Sequence, residues 1–509
     1  MAFFKIESYK TGIVLSTFFN FFNKGLVFLN GIVVAYYLGV RNETDIFFYV
    51  YNTVLLVGVF VASLNSTVLI PQSMHLRTAV GEKYAMYFLN RFIALYGGVM
   101  LLIVLIISVF PVDFFVLISS FSRTQLEASS SLLLLSLPLV LLIGVITLLI
   151  DILSSYRFFT ISMMIGIING LSSIIFVVAF HKVLDMKSVF FGLIVSYTFN
   201  LVLLLGLMRY YLRWEFRFVK VRIEKKIWRN LLFANLGNIT SVLSSYMPLY
   251  ILAGLATGII TSLTFAQQIA GLPNALIIAQ FGMVAGIKFN ELVARKDFLH
   301  LNKVYSETTG FLLFLTVPLG FFIYLYSFEI ATFLVGKKVI GVGGIGQVSF
   351  ILQYLGLLLP LQVINTMSGR LFMATHKVKE GFWYQVAFNI LLLTVMYVSV
   401  ENFGLIGYPI SLLGAHVLNV LCLYFIKRRW FPYIQYVALL RRFFSLLMLN
   451  AALSLLIYFC VRKIGIDVVL LRLICAFSFH LVILLVLNKV FKISDEVNVQ
   501  LKTILKKIS

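Results

Sequence analysis

Long apolar runs broken by short polar interruptions dominate this chain. Reading each run of about 20 residues as a membrane-crossing helix gives fourteen spans: 12–38, 46–72, 88–110, 131–154, 158–180, 188–211, 229–254, 259–286, 308–334, 346–370, 381–401, 404–426, 442–461 and 468–490. The most informative stretch joins the first two spans, from Asn30 to Arg77. Gly39 can take a positive φ after the first helix. Asn42 or Thr44 can cap the next helix, with Asp45 in its first turn near the positive end of the helix dipole. Pro71 and the polar run to Arg77 mark the exit.

The pattern repeats. Sliding the chain by 217 positions places LGVRNETDIFF (38–48) on LATGIITSLTF (255–265), so the first two spans fall on the seventh and eighth. SSYRFFTIS, with Asn169 beyond it, similarly resembles SGRLFMATH, with Asn389 beyond. Six spans separate the copies, so both keep the same orientation, as in a parallel repeat about the membrane normal. The expected fold is all-α and polytopic: about fourteen transmembrane helices in two six-helix lobes, plus two extra C-terminal helices. The expected divisions are an N-terminal lobe over 1–212, a basic cytoplasmic linker over 213–228, a C-terminal lobe over 229–428, and the last two spans and tail over 429–509.

Composition agrees with a membrane protein. The 509 residues are 61% hydrophobic and 15% aromatic, with net charge +22, and mean hydropathy is +1.02. Lys and Arg concentrate in the set of loops that includes both termini, which the positive-inside rule puts in the cytoplasm. The stretch Arg209–Arg229 carries eight of them against Glu215 and Glu224. The positive charge therefore implies no nucleic-acid partner. No cleavable signal peptide is visible. Cys422, Cys460 and Cys475 lie in apolar runs without metal or disulfide spacing. P-loop, HExxH and CxxC motifs are absent, and GVGGIG (341–346) reads as a flexible connector in an outer loop. A transporter without cofactor or metal is expected, not an enzyme.

Its chemistry should lie in the polar exceptions within the spans. Ser16, Asn20, Asn23 and Asn30 share one face of span one, with Lys24 at its border. Asn235, Asn238, Ser241 and Ser245 cluster in span seven; Gln267 and Gln268 lie in span eight, and Asn52 in span two. If the lobes face each other, these faces line a shared cavity. The alternative is interhelical hydrogen bonding. Lys24 is the most expensive of them, at about 3 kcal/mol on insertion scales. Asp151, near Arg157, reads first as a structural pair and second as an ion-coupling site. His416 and His480 are mid-span, and His416 is the second ion-coupling candidate.

The turn LGVRNETDIFF, the exit LIPQ, the stretch TSLTFAQQIAGLPNALIIAQFG and the junction GRLFMATHK together resemble the lipid II flippase (MurJ/MviN) family. That family belongs to the multidrug/oligosaccharidyl-lipid/polysaccharide flippase superfamily. The resemblance implies alternating access that carries an undecaprenyl-pyrophosphate-linked saccharide across the bacterial inner membrane. It also implies cavity arginines holding the pyrophosphate. Of those positions, Lys24 keeps its charge, while the others fall on Asn30, Gly58 and Gln268. A nearly neutral cavity favours a flippase serving surface polysaccharide (O-antigen, capsule or exopolysaccharide), with lipid II of peptidoglycan synthesis and cation-coupled drug antiport as the alternatives. The expected partners are the lipid-linked saccharide, membrane lipids, and a polysaccharide polymerase or glycosyltransferases.

Overall fold

A computed structural model describes residues 9–217, 219, 239–240, 242–375, 377–464 and 467–491. Among them there are helices and connecting turns but no strand. Long apolar segments satisfy their own backbone hydrogen bonds only as helices, the form that lipid permits. Twelve helical stretches are long and apolar enough to cross a membrane. One of these, Lys379–Ile426, holds the eleventh and twelfth expected spans, and the seventh is represented by the shorter apolar helix Val242–Ala253. About fourteen spans are thus accounted for.

The chain divides into two compact units, Met1–Thr261 and Ser262–Ser509. The first contains α1 (Tyr9–Leu38), α2 (Asn42–Leu64), a π-helical segment (Asn65–Leu69), α3 (Ile70–Ala79), α4 (Glu82–Val109), α5 (Pro111–Ile118), α6 (Arg123–Ala128), α7 (Ser130–Ser155), α8 (Phe159–Leu184), α9 (Lys187–Tyr211) and α10 (Val242–Ala253). α7 is the hub and packs against α2, α4 and α9. Leu133, Leu139, Leu148, Leu149 and Ile152 are buried on it. α6 begins with a capping box between Ser122 and Gln125. Of the basic linker, the described start is anchored on α4. Trp214 is fully buried and donates to Asn90 Oδ1 at 2.7 Å, and the Tyr87 hydroxyl, then Lys83, holds Glu215 below the usual carboxylate range.

The second unit takes in α11 (Ile259–Pro273) from Ser262 on. It continues with a π-segment (Asn274–Ile278), α12 (Ala279–Ala294), α13 (Phe298–Leu334), α14 (Lys337–Ala374), α15 (Val378–Phe403), α16 (Gly407–Trp430), α17 (Tyr436–Ile464) and α18 (Val469–Phe491). α13 and α14 meet backbone to backbone, since a Cβ on Gly320 would come within 2.8 Å of the Gly356 carbonyl. Small residues permit that approach. α17 and α18 both pack on α13. They are joined by buried His480, whose Nε2 lies 2.9 Å from Asn450 Oδ1.

Two local expectations are corrected. GVGGIG is not an outer-loop connector: it lies within α14, whose backbone breaks at Gly341 (φ 69°). The helix resumes at once because the later glycines keep helical geometry and one positive-φ residue suffices for the bend. At the start of α2, neither Asn42 nor Thr44 caps the helix. Arg41 holds the cap position without a side-chain capping bond, its guanidinium pairing with Asp185 instead, and Thr44 donates back to the Gly39 carbonyl at 2.7 Å.

Candidate functional site

Gly39 turns with φ 77° and delivers α2 with Asp45 one turn inside it. Asp45 is 2% exposed, and a carboxylate so placed must be hydrogen-bonded. Its donors belong to another helix start. Thr261 N and Thr261 Oγ1 donate to Oδ1 at 2.9 and 2.6 Å, and Gly258 N donates to Oδ2. Gly258 takes φ 89°, which aims these amides at a single point. Asp45 thus caps α11 rather than α2, where unpaired N–H groups and the helix dipole favour an anion. Thr257 Oγ1 adds a bond to Asn42 Oδ1 at 2.7 Å. One turn further along α2, Tyr49 is hydrogen-bonded to the Ile118 carbonyl and pairs with Tyr246 of α10 at 2.6 Å. The sequence signal for this fastening was the acid in NETDIFF; its partner could not be read locally.

Asn23 and Leu26 of α1 face α8. A Cβ on Gly166 would come within 2.6 Å of the Asn23 carboxamide carbon, and Gly170 meets Leu26 one turn on. Asn23 and Asn30 each keep a buried oxygen without a hydrogen-bond partner among the described residues. Lys24 is one residue, about 100° of helix, away from Asn23, and it is exposed. Asn20 lies in α1, but its side chain is outside the described residues, as are Asn235, Asn238 and Ser241.

Asn52 is half-buried on α2. On α11, Gln267 is exposed and donates to the buried Tyr408 hydroxyl of α16 at 3.3 Å, and Gln268 is half-buried, its Oε1 without a partner among the described residues. Asn23 therefore lies on the α1–α8 seam of the first unit, which also contains Asn30, while Gln267 and Gln268 belong to the second. His416 Nδ1 is 2.8 Å from the Leu412 carbonyl of its own helix, with the ring edge-on to Phe388. Asp151 of α7 accepts from Asn65 Nδ2 at 2.7 Å. Among the described residues, no group of three or more His, Cys, Asp or Glu side chains could hold a metal.

The family model for the lipid II flippase MurJ matches residues 34–491, from the end of α1 through α18. The chain belongs to the MurJ family. Among solved structures, it resembles a lipid II flippase MurJ in an inward closed conformation, with TM-score 0.79, 19% identity, and coverage of 94% of this chain and 98% of that one. An inward-facing multidrug resistance MATE transporter of the MOP superfamily follows at TM-score 0.62 and 14% identity, covering 78% of this chain and 92% of that one. An outward-facing MATE transporter aligns at TM-score 0.57 and 11% identity, over 83% of this chain and 96% of that one. No curated protein matches. As a MurJ family member the chain is a multi-pass membrane transporter, not an enzyme.

The family match overturns the reading as a surface-polysaccharide flippase and favours the lipid II alternative. That reading rested on missing cavity arginines, and one of the positions lies against a neighbouring helix. Gly58 is buried against α7, where a Cβ would come within 2.8 Å of Ile143. A larger side chain there would meet Ile143 first.

Proposed function

We propose that this chain carries lipid II from the inner to the outer leaflet of the bacterial inner membrane by alternating access. The match of its residues 34–491 to the MurJ family carries the reading. Both termini lie in the cytoplasm in this account, and the basic loops support that orientation. Cysteines placed in 335–345 should then react with an impermeant thiol reagent, and those in 209–229 should be protected. The turns that start α2 and α11 fall on the outer side, where Asp45 fastens them.

Lys24 supplies counter-charge to the pyrophosphate, since a lipid phosphate entering a low-dielectric site needs compensation. Asn20, Asn23, Asn30, Asn52, Asn235, Asn238, Gln267 and Gln268 offer hydrogen bonds to the saccharide. α17 and α18 offer an apolar wall for the polyprenyl tail, so truncation after about residue 435 should abolish flipping while the remaining body still inserts. Glycosyltransferases that build the head group and the polymerase that consumes it are the neighbouring activities.

The test is purified protein in vesicles carrying labelled lipid II in one leaflet. Transfer to the other leaflet above the protein-free rate is expected. Movement of another polyprenyl-linked saccharide with none of lipid II would overturn the proposal.

A further inference from the structure

α2 does not run as a regular helix to Pro71. It widens into the π-segment Asn65–Leu69 before α3 resumes, a geometry that turns the side chains out of ordinary register and recurs at functional sites. The first residue of the segment, Asn65, is fully buried. Its Nδ2 donates to Asp151 Oδ2 of α7 at 2.7 Å. Its Oδ1 is buried with no hydrogen-bond partner among the described residues. An orphaned buried carbonyl is costly. Ionised Asp151 only accepts hydrogen bonds and cannot relieve that cost, whereas protonated Asp151 has a hydroxyl to donate. The acid and the carboxamide are then complementary head to head: amide N–H to carboxyl oxygen, and carboxyl O–H to amide oxygen.

The surroundings leave this role open to Asp151. Tyr96 of α4 stands within electrostatic reach of it. Thr147, one turn earlier on α7, donates to the Ile143 carbonyl. Arg77 of α3 is taken up by Ser155 at 3.2 Å and by the Tyr156 ring at 3.7 Å. From α9, Arg209 donates to the Trp214 carbonyl. Arg157, at the α7–α8 turn, is the nearest cation in sequence and is itself engaged.

We propose that Asp151 is a proton-carrying site coupled to transport. It takes a proton from water to form the neutral pair with Asn65, and returns that proton to water when the π-segment and α7 separate. The same helix that begins at the Asp45 cap ends at this pair, so α2 joins the outer fastening to the acid. Coupling to transport rests on the flippase reading; the protonated pair itself does not.

Infrared spectroscopy of the purified protein in lipid nanodiscs, titrated from acid to alkaline pH, tests the pair without any substrate. The expected result is a titrating carboxylic-acid carbonyl band that Asp151→Asn abolishes, and that Asn65→Leu shifts to higher frequency because the hydrogen bonds of the pair are lost. In vesicles, wild-type flipping should change several-fold with an imposed pH gradient, and Asp151→Asn, the neutral isostere, should show no such change. Absence of a titrating band from the wild type, its survival in Asp151→Asn, or an unchanged gradient response in that variant overturns the proposal. A band removed by Asp151→Asn in a protein that leaves lipid II in place would support the pair and refute the substrate assignment instead.

Discussion

Asp45 at the start of α2 and Ser262 at the corresponding place in α11 are copies by sequence offset but differ in chemistry. Asp45 is buried and collects two backbone N–H groups and a hydroxyl from the Gly258–Thr261 turn. Ser262 makes one side-chain bond, to Gln347 of α14 at 3.0 Å. A charge that accepts three donors at a helix start concentrates the energy of the contact in one residue, whereas a neutral hydroxyl is one bond among many. The same contrast separates Lys24 of the first copy from Ser241 at the offset position of the second. At these two offset positions the charge stands in the first copy and a serine in the second.

The largest effect should come from Asp45→Ala. It strands two amides and a hydroxyl, at about 3 kcal/mol, and flipping in vesicles should fall by ~10-fold or more. Asp45→Asn should lie between, because it keeps an acceptor oxygen but adds a donor facing amides. Wild-type flipping by Asp45→Ala would break the comparison at its stronger end.

Lys24→Ala should come next. Transport should drop several-fold with undiminished expression, since about 3 kcal/mol of insertion cost is removed. Lys24→Arg should keep most of the activity and Lys24→Glu should be worst. A complementation assay in which Lys24→Ala equals the parent would make Lys24 a residue that merely reaches the membrane surface.

Ser262→Ala should be the mildest, at about 1 kcal/mol of stability, read by thermal unfolding, with flipping nearly unchanged. If Ser262→Ala were as damaging as Asp45→Ala, the asymmetry between the copies would have no energetic meaning.

The helical architecture was legible because lipid allows few solutions: run length and polarity alone marked the spans. The polar stripe of α1 was legible from spacing, but not its neighbour, because a helical face does not say what packs on it. Gly166 and Gly170, which receive Asn23 and Leu26, are small residues inside an apolar run and carry no local mark. Asp45 looked like an ordinary first-turn acid. Its partners lie more than 200 positions away, in a turn recognisable only through the repeat. Asn65 was hidden because a π-segment has no sequence signature of its own, and an Asn near the end of a span reads as an interfacial residue. Gly58 is a similar case, since alignment to a motif gave its position and only packing gave its neighbour, Ile143.

The central claim is that lipid II is the cargo, and leaflet-resolved labelling of lipid-linked saccharides after depletion of this protein tests it most directly. The account predicts that lipid II accumulates in the inner leaflet and becomes inaccessible to an external label, and that the intact gene restores access while Asp45→Ala does not. Undiminished external labelling of lipid II, with another lipid-linked saccharide retained inside, would contradict it.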